Sequence, residues 1–280
     1  MAVSIDNLVN VNFIKGDIDL LNFGLNLGGR GDYNPYISPL NRLIILLFSN
    51  SEQGAFYLPM PIVNGTQALF QDAAGTVPVT ADGDPVGRIL DQSGNGNHAI
   101  QTVSWSRPVY RTDGVLHWLE GDGVADAFEY PASTTSTSHT VAVAHSPDTI
   151  SEQGQFLLDS AGSGRLIFAH LGNPAGAIAV FDGSFKVPGD AVLGDQVVTY
   201  EVNGLESDLG IYRNNALIGT RIAYSPKAIS PPSNLFTRYT NKESSYAGKV
   251  YGIVIVHGTI STSDRGDLNS YLAGLTGITL

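Results

Sequence analysis

The chain has 280 residues, no cysteine and a formal net charge of −11 at pH 7. The absence of cysteine excludes disulfides, thiolate metal sites and a thiol nucleophile. The acidic balance, with arginine and lysine scattered singly along the chain, argues against a nucleic-acid partner.

The amino-terminal 50 residues differ from the rest of the chain. They combine a partial period-two pattern, a turn-rich stretch at 28–39 and the apolar run LIILLF at 43–48. This run is typical of a strand buried on both faces or of a short buried helix, and a bilayer span would need about 20 residues. The first ten residues lack the basic and apolar parts of a secretory signal, so we expect neither a signal peptide nor membrane insertion. We expect residues 1–50 to lie outside the main core and to become ordered against a partner chain.

Short strand-like patterns recur from Gly54 onward, separated by turn residues. Proline interrupts the segment 54–63, which suits an edge strand. In the segment 139–145, alternation places Val141 and Val143 on one face. Asn214 and Asn215 tolerate positive φ and predict a two-residue hairpin turn. Further strands are predicted at 155–159 and 165–170, which flank a hairpin loop, and at 177–183, 195–202, 208–214, 215–221 and 248–258, the last being the strongest.

One convincing helix is predicted, at the carboxyl end. Leu268, Tyr271, Leu272 and Leu275 fall on one helical face, and Gly277 suits a left-handed cap. Many short strands with one helix predict an all-β fold, an antiparallel β-sandwich of jelly-roll type with a short C-terminal helix. The expected organisation is an extended anchoring segment over 1–50 and a sandwich domain over 51–280.

The stretch LDQSGNGNHAIQ at 90–101 admits three interpretations. A phosphate loop needs a lysine and a following helix, and neither is present. An EF-hand calcium loop fails because Asp91 is not followed by further acids at the required steps, although a looser calcium site built on Asp91 and backbone carbonyls stays open. The glycines and asparagines over 94–97 instead predict a turn with positive-φ positions.

Several motifs together resemble those of a known family. They are QDAAG and DQSGNGNHA within 69–101, SRPVY and WLEGDGVAD from 106 onward, and a strong strand followed by a helix within 248–280. The chain resembles the concanavalin A-like (laminin-G-like) lectin jelly-roll domains of bacteriophage virion proteins of the tail or the head decoration. The resemblance covers residues 54–280 and implies a lectin-like sandwich without a shared catalytic set.

The histidines and acids point to structure more than to chemistry. His139 and His145 share one face of a strand, but a metal would need a third ligand from elsewhere, so we expect these histidines to bond to backbone. Glu120, Asp122 and Asp126 cluster in EGDGVAD, where acids at turns cap backbone N–H groups. We predict no catalytic residue and no metal site, while a glycosidase-like pair of carboxylates remains open among the 26 acidic residues.

Three aromatic residues are the candidate carbohydrate-binding residues: Trp105, Tyr110 and Trp118. An indole or phenol face can stack on the C–H face of a sugar ring, because the aromatic face carries negative charge. The alternative is the sandwich core, toward which Trp118 is predicted to point. The tripeptide RGD occurs at 30–32, in a turn, and at 265–267, where a helix starts, so integrin binding is disfavoured.

The resemblance implies a structural, non-enzymatic virion protein, made in the bacterial cytoplasm, that serves as a tail, fibre or capsid-decoration component. Residues 1–50 would anchor it to other virion proteins, and such proteins often assemble as homo-oligomers, with a trimer expected. The sandwich would attach to host-surface glycan. The alternatives are a carbohydrate-binding module and a glycan-degrading enzyme on the same scaffold.

Overall fold

The described part of the chain is mostly β structure. A computed structural model describes residues 37–131, 136–149, 155–160, 167–171, 177–181, 186–187, 192–204, 208–221, 228–229, 233–237 and 245–280. The first RGD and the predicted hairpin loop after residue 160 lie outside these ranges. In chain order the elements are α1 (Pro39–Phe48), β1 (Gly54–Tyr57), β2 (Ile62–Val63), β3 (Thr66–Gln67), β4 (Leu69–Phe70), β5 (Arg88–Ile89), β6 (Ala99–Ile100), a 3₁₀ turn (Ser104–Ser106), β7 (Val109–Thr112), β8 (His117–Asp122), β9 (Phe128–Tyr130), β10 (His139–Pro147), β11 (Gln155–Ser160), β12 (Ile167–Leu171), β13 (Ala177–Phe181), β14 (Lys186–Val187), β15 (Gln196–Asn203), β16 (Asp208–Arg213), β17 (Ala216–Arg221), β18 (Ser233–Leu235), β19 (Ala247–Val256) and α2 (Thr262–Thr276).

Two large antiparallel sheets face each other. Among the described residues, the first sheet has the order β17-β16-β15-β10-β19-β8-β7, with β1 also paired to β19. The second has the order β14-β13-β12-β11-β18-β9-β6-β5-β4, and β2 and β3 form a separate pair. Apolar side chains from both sheets fill the space between them, among them Leu119 and Val141 from the first and Phe128 and Leu235 from the second. The predicted antiparallel β-sandwich is confirmed.

The first sheet is covered on both faces. Along β10, Val141 and Val143 point into the sandwich, whereas Ala142 and Ala144 point to a second apolar cluster on the outer face. Every position of β10 is therefore buried. The second cluster lies between the first sheet and the two helices, so the domain has three layers.

The C-terminal helix forms as predicted. The Ser261 hydroxyl caps α2 by accepting a 3.1 Å hydrogen bond from the backbone N–H of Asp264, and Gly277 closes the helix at φ 83°. Leu268 and Leu272 are completely buried against the first sheet. Neither helix of the described residues is long and apolar enough to cross a membrane.

Helix α1 corrects two predictions about the amino-terminal segment. Residues 39–48 are helical, so the helical interpretation of LIILLF is confirmed and the chain has a second helix that the single-helix prediction lacked. Ser38 caps this helix and Pro39 starts it, a position where its missing N–H costs nothing. Leu43, Leu47 and Phe48 are buried in the second cluster. The apolar run therefore belongs to the packed domain, and the predicted boundary at residue 50 is wrong for 39–48.

The turns follow the predicted chemistry. Asn214 and Asn215 take φ 49° and 66° between β16 and β17, confirming the two-residue hairpin. The segment 54–63 divides into β1 and β2, and β1 pairs only with β19 within the described residues. The strongest predicted strand, at 248–258, corresponds to β19, a central strand flanked by β10 on one side and by β8 and β1 on the other.

Candidate functional site

The LDQSGNGNHAIQ stretch is a turn tied to β1 by one carboxylate. Asp91 Oδ1 accepts hydrogen bonds from the backbone N–H groups of Phe56 (2.9 Å) and Ser93 (2.8 Å). Its Oδ2 accepts from the Ser93 hydroxyl (2.8 Å) and the Asn97 backbone (3.0 Å). Each oxygen thus accepts two bonds, its ordinary capacity. The looser calcium site considered on Asp91 would have to break this arrangement.

Two asparagines complete the same clamp. The side-chain amides of Asn95 and Asn97 donate to the carbonyl of Gly54, at 3.2 and 2.7 Å. Gly94 and Gly96 take φ 84° and 77°, which lets the backbone reverse twice around the asparagines. The turn interpretation is confirmed, and the motif holds the loop against the first sheet.

The acids of EGDGVAD are engaged in local structure. Asp122 Oδ1 accepts from the backbone N–H groups of residues 124, 125 and 126, at 2.8, 3.0 and 3.2 Å. Asp126 Oδ2 accepts from the Asp122 backbone at 2.9 Å. Burial raises the pKa of Asp126 to about 6, against the opposing effect of that backbone bond. Glu120 pairs with Arg111 at 2.5 Å. The predicted capping role is confirmed for Asp122 and Asp126 but not for Glu120.

Most histidines contact tyrosines, which corrects the prediction of backbone partners. Burial lowers the pKa of His139 to about 3 and that of His257 to about 4. His98 bonds to backbone, since its Nδ1 accepts from the Asp91 N–H at 3.0 Å. No group of three or more possible metal ligands occurs in the described ranges. The tyrosine contacts are His117 with Tyr110 (2.6 Å), His145 with Tyr246 (2.9 Å), His257 with Tyr130 (3.0 Å) and the ring of His139 edge-on to Tyr200 (centroids 5.6 Å apart).

The second RGD is a packing element. Arg265 in α2 forms an ion pair with Glu201 of β15, and its guanidinium lies 3.7 Å from the ring centroid of Tyr212. The side chain of Arg265 is only 11% exposed. This arginine joins the helix to the outer face of the first sheet, and it is not displayed as an integrin ligand would need.

The three candidate aromatic residues do not share a surface. Tyr110 lies in the sandwich core and is buried. Trp118 is on the opposite, outer face of β8, packed at the second cluster, so the predicted inward orientation is wrong. The Lys249 ammonium lies 4.7 Å from its ring centroid and occupies one indole face. Trp105 is 72% exposed, so only this one of the three presents a free aromatic ring.

Trp105 lies on a short loop that crosses between the sheets. This Trp105 loop, residues 101–107, leads from β6 in the second sheet to β7 at the edge of the first. The side chain of Gln101 fastens it, donating to the Ala127 carbonyl at 2.7 Å and accepting from the Val103 backbone at 2.9 Å. Ser106 is fully buried, and its carbonyl accepts from the Ala127 N–H at 3.1 Å. The indole therefore projects from a backbone that is held at several points.

A second exposed apolar residue lies on the neighbouring turn. Val124 is 72% exposed in the turn that Asp122 caps. The bonds to Ala127 join this turn to the Trp105 loop. Thr102 and Ser104 are also exposed on the loop and add hydroxyl groups. The resulting surface combines one free indole, one valine and neutral hydrogen-bonding groups.

Arg107 belongs to this surface and was missed by the sequence analysis. Its Nε and Nη2 donate to the backbone carbonyls of Gln101 (3.3 Å) and Thr102 (3.4 Å). Pro108 favours the extended backbone that Arg107 adopts, with φ −92° and ψ 120°. The sequence feature that could have identified Arg107 is the tripeptide SRP within the family motif. The direction of the arginine side chain, however, depends on how the loop folds back on residues 101 and 102.

Comparison with known proteins supports the fold. The sequence matches no protein-family model and none of the curated proteins. The structure is similar to the binding domain of Paraclostridial Mosquitocidal Protein 1, with a TM-score of 0.50 and 13% identity, over 68% of this chain and 51% of that one. The chain thus spans about half the length of that structure. At this identity the likeness shows a common β-sandwich fold.

Two further structures are more distant. The Trypanosoma rangeli sialidase in complex with 2,3-difluorosialic acid has a TM-score of 0.49 and 11% identity, over 84% of this chain and 37% of that one. Domain 4 of AbnA, an extracellular arabinanase from Geobacillus stearothermophilus, in complex with arabinotriose, has a TM-score of 0.47 and 11% identity, over 78% of this chain and 98% of that one. The bacteriophage role implied by the sequence motifs stays a prediction.

Proposed function

We propose that this chain is a structural protein of a bacteriophage virion whose β-sandwich binds host-surface glycan through the Trp105 loop. The virion role rests on the motifs of residues 69–124 and 248–280 that resemble virion lectin-like domains. The glycan role rests on one observation: Trp105 is 72% exposed on a loop held by hydrogen bonds.

Sugar binding accounts for the exposure of the indole, whereas stability of the fold does not. A tryptophan buries a large apolar area when it packs, so leaving it in water forgoes about 1.5–3 kcal/mol or more of stabilisation. The electron-rich indole face attracts the C–H groups of a pyranose ring. Hydroxyl groups of Thr102 and Ser104 beside it suit the hydroxyl groups of a glycan.

Binding without hydrolysis is the favoured form of this function. Asp122 and Asp126, in the turn joined to the loop through Ala127, accept hydrogen bonds from turn backbone, and Asp126 is only 4% exposed. A glycosidase needs two carboxylates that flank the sugar and are free to exchange protons. Engaged and buried carboxylates support a binding role for this surface.

The anchoring role is proposed for the amino-terminal segment. Helix α1 packs on the outer layer of the domain, so the proposed contact with other virion proteins is assigned to the residues that precede it. Assembly as a homo-oligomer, with a trimer expected, follows from the same family resemblance.

The glycan proposal is tested by binding of the full chain to a glycan array and by calorimetry with the best ligand. Trp105→Ala should abolish binding while the thermal unfolding temperature stays unchanged, because the ring makes little contact with the core. Val115→Ala is the control, since Val115 is 81% exposed on the separate turn between β7 and β8. Equal binding by wild type and Trp105→Ala, or an absence of binding to any glycan, would overturn the proposal. Release of reducing ends from the bound glycan would instead establish the enzyme alternative.

The virion proposal is tested on particles and in solution. Mass spectrometry of purified phage particles should detect the chain, and antibody labelling should place the sandwich on the particle surface. Light scattering after size exclusion should give the mass of a trimer. A chain absent from particles, or a monomer in solution, would count against the respective part of the proposal.

A further inference from the structure

We infer that the Trp105 loop selects glycans that carry a carboxylate, with Arg107 as the residue that binds it. This inference rests on the proposed glycan-binding function and names the chemical class of its ligand. It follows from the way in which the guanidinium is held.

In its contacts with the described part of the chain, the guanidinium of Arg107 uses one of its two hydrogen-bonding edges. The edge formed by Nε and Nη2 faces the carbonyls of Gln101 and Thr102, at 3.3 and 3.4 Å. No hydrogen bond of Nη1 occurs within the described residues. The edge formed by Nη1 and Nη2 is therefore available, and it presents two parallel N–H groups that match the two oxygens of a carboxylate.

Among the residues that the structure describes, Arg107 also has no acidic partner. Within the described ranges, no carboxylate lies at ion-pair distance from it, whereas Arg111 pairs with Glu120 and Asp82, and Arg265 pairs with Glu201. Asp122, in the turn that Ala127 joins to the loop, directs its Oδ1 to three backbone N–H groups of its own turn. An arginine that has no acidic partner within the described residues, two positions from an exposed indole, is a local positive charge that favours an anion.

The carbonyl contacts give the guanidinium a fixed orientation before any ligand arrives. Pro108 restricts the backbone of Arg107 to the extended region, and two hydrogen bonds direct its side chain toward the start of the loop. A positioned guanidinium loses less rotational freedom on binding than a free one does. The indole would stack on the sugar ring while the arginine binds the carboxylate of the same or the next sugar residue.

The test uses the full chain on an array that includes neutral, uronic-acid, sialylated and phosphorylated glycans, in 150 mM NaCl. The wild type should prefer carboxylate-bearing glycans, and carboxyl reduction of the best ligand should weaken binding at least tenfold. Arg107→Gln should weaken the affinity for the acidic ligand by a similar factor and leave the affinity for its carboxyl-reduced form unchanged. Arg107→Lys, which keeps the charge but not the paired N–H groups, should give an intermediate loss. Arg42→Gln is the control for net charge, because Arg42 is exposed on α1.

The outcomes separate this inference from the proposed function. Binding of neutral glycans only, or unchanged binding of the acidic ligand by Arg107→Gln, would overturn the carboxylate assignment while the glycan-binding role stands. A preference for phosphorylated or sulfated glycans that carry no carboxylate would also overturn it. We expect Trp105→Ala to bind none of the glycans and Arg107→Gln to bind neutral glycans as the wild type does. Absence of any binding by the wild type would overturn both.

Discussion

The carboxylate of Asp91 accepts a 2.9 Å hydrogen bond from the backbone N–H of Phe56, 35 residues earlier in the chain. This bond ties the asparagine–glycine turn to β1, and β1 pairs with the central strand β19. A motif that is local in sequence thereby fixes the position of a strand in the first sheet.

Asp91→Ala should destabilise the domain strongly. It would leave the backbone N–H groups of Phe56, Ser93 and Asn97 without their acceptor, and the unmet hydrogen bonds should lower the free energy of unfolding by about 3–5 kcal/mol. Urea denaturation measures this loss. Asp72→Ala, at an exposed turn where Asp72 caps Thr76 and Val77, is the matched control and should lose much less. Similar losses for both variants would contradict a special role for the clamp.

Asp126→Asn should stabilise the domain at neutral pH. Burial raises the pKa of Asp126 from 3.8 to about 6, so the folded state binds the extra proton and stability falls as pH rises through this window. Asparagine keeps an acceptor for the Asp122 N–H without a charge. At pH 7 the gain should be about 2–3 kcal/mol, and near pH 3.5 it should vanish. A pH series of urea midpoints checks this, and a gain that is the same at both pH values would disprove the electrostatic cause.

His139→Phe should make the domain more resistant to acid. His139 is fully buried, neither ring nitrogen has a hydrogen-bond partner within the described residues, and its pKa falls from 6.5 to about 3 because of burial. The unfolded chain therefore binds the extra proton between these values, and stability is complete above pH 6.5 and declines as pH falls toward 3. Phenylalanine removes this dependence and keeps the ring contact with Tyr200. Between pH 7 and pH 4, the difference in free energy of unfolding between variant and wild type should shift by about 3 kcal/mol in favour of the variant. Parallel pH profiles of the two proteins would refute the prediction.

Leu47→Ala tests whether α1 belongs to the domain. Leu47 is 2% exposed in the second cluster, so its truncation should leave a cavity and cost about 2–5 kcal/mol. Arg42→Ala on the exposed side of the same helix should cost little. Thermal unfolding of both variants measures the contrast. A Leu47→Ala protein as stable as wild type would restore the interpretation in which residues 1–50 lie outside the core.

The wrong predictions share one cause: each depends on which residues from other parts of the chain pack against the segment. The sequence places residues 39–48 outside the core because a short apolar segment has little core of its own, and the residues it packs against, such as Ala142 and Val254, lie far along the chain. The inward prediction for Trp118 assumes that Leu116, two residues earlier, faces the sandwich core. Leu116 lies before β8 and packs against the second cluster, and Trp118 lies on the same outer side. Glu120 is predicted to cap the turn. In the structure it lies opposite Val109 of β7, and Arg111, two residues further along β7, forms an ion pair with Glu120 instead.

The sequence by itself determined the features that depend on a few adjacent residues. Alternation in β10, the Asn214–Asn215 turn and the caps of α2 follow from backbone preferences and short-range hydrogen bonds. Only the tertiary structure decided that His145 meets Tyr246, 101 residues away, and that His257 meets Tyr130, 127 residues away. It likewise decided that Trp105 remains in solvent beside a positioned Arg107 while Tyr110 is buried. The physical reason is that exposure and long-range pairing depend on which sheet covers a face, and residues far apart in the chain decide that.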